Sequence, residues 1–245
     1  MDRESRWYRC AKEQLALLAE LREKFLVHIP DLHGVSDALV SIRGATELAL
    51  DLIDNPQRVA WACVEVVGAW RDAWEEAYAF ISGIQAGTAV WLGMWHPGRI
   101  ETVQEDFADV LSTEQYRAHF MEHDRVFCRG LDDAIFHLHN TMTRYQEVAL
   151  SMPEISCTQF RLPYDERRVP VRLSSHLPLY RRMHACGMKT QYAFLDEDDM
   201  RDAILEGDPR HLFLIGGAKD AAEASRLLDL ACEWTQRRVR ELGLR

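Results

Sequence analysis

The residues of this chain best suited to chemistry stand at the ends of short apolar runs. Ala134-Ile135-Phe136-His137-Leu138-His139-Asn140 ends in two imidazoles two positions apart. Residues i and i+2 of a strand project the same way, so His137 and His139 at a strand's C-terminal edge enter one site. Parallel α/β folds place their chemistry at that edge. Neutral imidazoles bind divalent metals and carry protons near neutrality. The alternative is that one ring packs against a helix while the other is solvated. Asp31 and His33 have the same two-residue spacing, and Asp31 there would carry a proton or orient an imidazole. Glu105 and Asp106 are adjacent, so at most one enters a pocket and the other caps a helix or meets solvent. Gln159 and Arg161 end the next run, where the arginine would clamp a carboxylate or phosphate, or pair with a surface acid. Gln191 and Tyr192 are further candidates, and Trp91 and Trp95 offer either an apolar wall for a ring substrate or core packing.

These residues need strands to hold them, and the hydrophobic period supplies candidates. Apolar, β-branched runs at Phe25 to Ile29, Thr88 to Met94, Ala134 to Leu138, Ile155 to Phe160, Thr190 to Leu195 and Leu212 to Ile215 read as strands. Helical patterns fall at Leu48 to Ser82 with a break near Pro56, then at Thr113 to Gly130, Thr141 to Leu150, Leu177 to Cys186, Asp198 to Glu206 and Asp220 to Leu242. Ser112-Thr113-Glu114-Gln115 reads as a capping box, Asp54-Asn55-Pro56 as a stop followed by a start, and Gly187 as a helix C-cap. The result is about six βα units in a single α/β domain from residue 25 to 245, preceded by an amphipathic helix within residues 1 to 24.

Composition narrows the function classes. A formal charge of -10 over 245 residues, with no basic block, argues against nucleic acid. No apolar stretch approaches 18 residues and the first residues are charged, so neither a membrane span nor a secretory signal is expected and a cytoplasmic protein is. The six cysteines lack a C-x-x-C pair and read as structural thiols.

The order of motifs resembles the uroporphyrinogen decarboxylase superfamily, which includes corrinoid-dependent methyltransferases acting on coenzyme M. The matching pieces are Ile29-Pro30-Asp31-Leu32-His33-Gly34, then Arg43-Gly44 with Leu50 to Val59, Glu105-Asp106-Phe107 with Val110 to Tyr116, Ile135 to His139, and Leu212 to Gly217. The resemblance implies a (β/α)8 barrel of the TIM type, present here without its first two units. It implies transfer of a methyl (one-carbon) group between a small substrate and a corrinoid or thiol acceptor, with decarboxylation of tetrapyrrole side chains as the alternative. A truncated, non-catalytic binding domain completed by an N-terminal partner chain, and a homo-oligomer, are the further readings. In the methyltransferase branch a zinc ion held by His-x-Cys and a later Cys activates the thiol. This chain has His137-x-His139 in that place, and the segment after Gly217 holds no cysteine before Cys232. A third ligand would come from Asp106, Glu105 or His33, and the alternative to a metal site is a metal-free polar pocket. The corrinoid would arrive as co-substrate on a partner protein.

Overall fold

The computed structural model describes residues 2–139, 142–160 and 172–244. Two compact units divide the chain, Met1–Ile135 and Phe136–Arg245, and the boundary falls inside a strand that belongs to both.

The first unit is built on one long helix. It contains α1 (Arg6–Ala19), α2 (Val35–Arg43), α3 (Ala45–Asp54) and α4 (Pro56–Ser82). A short antiparallel hairpin follows, β1 (Thr88–Ala89) with β2 (Trp95–His96), then β3 (Ile100–Gln104), α5 (Thr113–His119), α6 (Met121–Cys128) and the first half of β4 (Asp133–Leu138). Pro56 starts α4 because its fixed φ suits a first helical position and its missing N–H would be unpaired there anyway. Buried Val59, Cys63, Val67, Trp70, Trp74, Ala77 and Ile81 recur every three or four residues and form one apolar stripe. That stripe meets α2, α3, α5 and α6, with Trp70 stacked on Phe127 at 3.5 Å between ring centres. Ser112 and Gln115 close the expected capping box at the start of α5. The start of β3 is tied to the start of β4 through Arg99, whose N–H reaches Asp132 Oδ2 at 2.8 Å while its carbonyl accepts from Asp132 N–H at 2.8 Å.

The second unit repeats one supersecondary step. The end of β4 is followed by α7 (Met142–Leu150), β5 (Cys157–Phe160), α8 (Leu177–Ala185), β6 (Lys189–Leu195), α9 (Glu197–Glu206), β7 (Leu212–Gly216) and α10 (Ala221–Glu241). Strands β5, β6 and β7 pair in parallel, with Gln159 opposite Gln191 and Gln191 opposite Phe213. Through the shared strand the sheet order is β3-β4-β5-β6-β7, the chain's own order, as consecutive βα crossovers produce.

The fold is therefore mixed α/β with a five-stranded sheet, and no sheet closes into a barrel among the described residues. Two expected strands are not formed. At Phe25 to Ile29 there is a single bridge between His28 and Ala89, and Val27 is held through its backbone by the Gln85 side chain. The run Thr88 to Met94 gives only two residues of hairpin, because Gly93 (φ 75°) turns the chain back on itself. The strand that leads into Glu105 is instead β3. Helix α2 was not expected, and the pattern from Thr113 to Gly130 breaks at Phe120 into α5 and α6. No helix among the described residues is long and apolar enough to cross a membrane. All six cysteines are free thiols.

Candidate functional site

In the first unit the acidic residues converge on a helix start. Gly34 precedes α2 and donates its N–H to the Gln104 carbonyl at 2.6 Å. A Cβ at Gly34 would overlap that carbonyl and the Glu105 carboxyl, so the close approach requires glycine. The first turn of α2 then meets two carboxyl groups. Val35 N–H donates to Asp124 Oδ1 at 3.1 Å, and Ser36 N–H donates to Glu105 Oε1 at 3.1 Å. Ser36 Oγ–H donates to the other Glu105 oxygen, and Tyr116 O–H donates to Asp124 Oδ2 at 2.7 Å. Asp37 returns the arrangement by accepting from Asp106 and Phe107 N–H, at 3.0 and 2.8 Å, which caps the 3-10 turn Asp106–Val110. Two helix starts thus cap one another with carboxylates, a placement their dipoles favour.

Glu105 and Asp124 are completely buried and hydrogen-bond each other. Burial, then the neighbouring Asp124 charge, pushes the Glu105 carboxyl well above the usual range. Asp124 is raised to about 6, chiefly by burial and against the pull of its Tyr116 and Val35 donors. Glu105, which burial and the neighbouring charge raise the further of the two, keeps the shared proton. Close to them, Cys63 on α4 has its thiol raised to about 12, first by burial and then by the two acids. This group is sealed from solvent, and its chemistry is structural.

The second unit holds the expected imidazole pair. His137 and His139 lie at the C-terminal end of β4 with ring centres 5.0 Å apart and planes at 86°, so they share a side as their spacing required. His137 is buried, and its Nδ1 hydrogen-bonds the Gln159 side-chain oxygen on β5. With the proton on Nδ1 the ring donates to Gln159 and keeps its lone pair on Nε2, the tautomer a metal ligand or proton acceptor needs. Gln159 is itself buried and in register with buried Gln191 of β6, which places the two amides side by side on one face. An amide that accepts from an imidazole fixes the ring without adding charge.

The remaining sequence candidates have other placements. Tyr192 follows Gln191 and so faces the other way, where it packs edge-on against Tyr180 of α8 at 4.5 Å between ring centres. It belongs to the core rather than to the Gln159 face. Trp95 pins the hairpin, its Nε1–H donating to the Ala86 carbonyl at 2.9 Å. Glu105 is withdrawn under α2, whereas half-buried Asp106 accepts from Gln104 Nε2 at 2.8 Å. Asp31 accepts the His33 N–H at 2.9 Å and holds His33 at φ 64°, a left-handed conformation costly for a residue with a Cβ. This turn brings the chain to Gly34 and α2. Arg161 lies outside the described residues. Sequence reasoning missed Ser36, Asp37, Tyr116 and Asp124, although a Ser-Asp pair just after a glycine is the sort of signal that marks a helix start.

Compared with protein-family models, with curated proteins and with solved structures, the chain matches none.

Proposed function

We propose that this chain is a barrel-type enzyme domain of the uroporphyrinogen decarboxylase kind that transfers a methyl group between a small substrate and a thiol or corrinoid acceptor, with His137 and His139 as its reactive pair. The observation that supports this reading is the position of both rings on one side of a strand's C-terminal end, one of them fixed by Gln159. The motif order given above suggests the reaction class.

The donor set fits a zinc ion of imidazole character better than a sulfur-rich one. Cys157 is at the opposite end of β5 from the Gln159 side chain's strand end, and Cys232 is exposed on α10. His137 and His139 would hold the ion, which when bound lowers the pKa of a coordinated thiol so that the thiolate is populated at neutral pH. The chain's own residues then have definite tasks. Gln159 fixes the His137 tautomer, burial of His137 excludes water from one side of the ring, and His139 completes the pair. The corrinoid would be presented by a partner protein.

The test is demethylation of methylcobalamin by a small thiol, followed in cobalamin absorbance, with the zinc content of the purified chain measured in parallel. Turnover that falls at least about a hundredfold in His137→Ala and His139→Ala, together with zinc, supports the reading. Unchanged turnover in both variants removes it. Asp106→Asn in the same assay tests the carboxylate ligand expected from sequence.

A further inference from the structure

The helices of the first unit enclose a cavity with an apolar floor and an unbalanced charge in its wall. It lies among α2, α3 and α4 and measures about 470 Å³, within the range of small-ligand pockets. Leu39 of α2, Leu48 of α3 and Val59 of α4 form the floor, and each is buried. Ile42 and Trp61 stand at the rim, 77% and 67% exposed. Single apolar side chains at a surface are ordinary, but here an isoleucine and an indole border one concave site whose floor is also apolar.

Three charged side chains line the same cavity, Arg43, Asp51 and Arg58, and the first two are paired with each other. Arg43 Nε–H donates to Asp51 Oδ2 at 2.7 Å, and the other Asp51 oxygen accepts from Asn55 Nδ2–H at 3.2 Å. Each Asp51 oxygen is thus engaged, and Arg58 acts on that carboxylate only through space. Among the described residues the Arg58 side chain has no ion pair and no hydrogen bond. Helix α4 gains nothing from it either. Arg58 stands in the first turn, where the helix dipole is already positive and no acid offsets it, and the Asn55 amide is turned to Asp51 instead of capping the helix. The guanidinium therefore offers five donors and has no protein acceptor.

We propose that this cavity binds a small aromatic carboxylate, with its ring against Trp61 and Ile42 and its carboxylate on Arg58. A planar ring gains most from an exposed indole face, and a guanidinium matches a carboxylate with two parallel N–H donors. One unpaired guanidinium balances a monocarboxylate, whereas a phosphate group carries close to two charges. An apolar cavity of about 150 Å³ accepts benzene, so a two-ring acid fits here with room for water. Every residue of the site belongs to the first unit, and the site does not depend on the reaction proposed for His137 and His139.

The full chain should be titrated calorimetrically with naphthoate and, separately, with the uncharged naphthalenemethanol, at constant ionic strength. Saturable binding of naphthoate is expected, tighter than that of the alcohol. Arg58→Gln should weaken naphthoate about tenfold, the loss of one charge-assisted contact, and leave the alcohol unchanged. Trp61→Ala should weaken both probes alike. Both side chains are exposed, so the two variants should unfold at the wild-type temperature, which separates lost binding from lost folding. Absence of saturation by naphthoate, equal affinity of the wild type for acid and alcohol, or naphthoate affinity unchanged in either variant overturns the proposal.

Discussion

The buried carboxyl pair of the first unit and the imidazole pair of the second are both built from polar residues beside strand ends, and they do opposite work. Glu105 and Asp124 spend every oxygen on protein donors, close off the α2 start and see no solvent. In the imidazole pair, His137 Nδ1 meets the Gln159 side-chain oxygen, and the two rings share one side of the strand end. The first pair is consumed by capping; the second is the pair proposed above to be reactive. Substitutions can break this contrast or sharpen it.

The largest effect is expected at Gly34. Gly34→Ala drives a methyl into the Gln104 carbonyl and the Glu105 carboxyl, so urea unfolding should show a loss of about 3 kcal/mol or more. Glu105→Ala leaves the Ser36 N–H and hydroxyl buried without partners, and should cost about 3 kcal/mol in the same measurement. Glu105→Gln keeps the shape of a protonated acid and should cost less than half as much. Retention of full stability by Glu105→Ala would show that the cap is dispensable.

The pH dependence sharpens the contrast further. Both acids have folded pKa values above their unfolded ones, so the native state binds more protons and the stability that these two groups contribute is greatest below about pH 4, the unfolded carboxyl range. It then declines as pH rises through about 6, where Asp124 ionises, and declines further as Glu105 is forced to release its proton. His184, His123 and His176, whose pKa values burial lowers, contribute in the opposite sense and equally in both proteins, so between pH 5 and pH 8 the unfolding free energy of the wild type should fall relative to that of Glu105→Gln. Identical slopes would place the coupled proton elsewhere. A smaller effect is expected for Tyr116→Phe, which removes one donor to Asp124 and should cost about 1–2 kcal/mol. The smallest is Ser112→Ala in the α5 capping box, about 1 kcal/mol.

How much of this was legible in the sequence depended on whether burial followed hydrophobicity. Ala134 to Leu138 and Thr190 to Leu195 are mostly apolar and were readable to within a residue, and the Pro56 and Ser112 boundaries follow from local turn chemistry. Strand β3 was not named, because Ile100-Glu101-Thr102-Val103-Gln104 buries a glutamate and a threonine where the pattern calls for apolar residues. Helix α2 was missed for a related reason: Ser36 and Asp37 look like loop residues until segments more than sixty positions away arrive, Glu105 to accept from Ser36 and the Asp106 and Phe107 N–H groups to donate to Asp37. Residues two apart on a strand were correctly expected to share a side at His137 and His139, since the period is a property of the backbone alone. Tyr192 could not be separated from Gln191 without knowing which face α8 covers.

The claim that the imidazole pair is reactive and not a packing element is tested most directly by the zinc content and thermal stability of a His137→Ala, His139→Ala double variant beside the wild type. The account predicts that wild-type zinc is lost in the variant while the fold survives, with a cost of about 1–2 kcal/mol for the severed Gln159 contact. Equal zinc in the two proteins, or a variant that no longer folds, would contradict it.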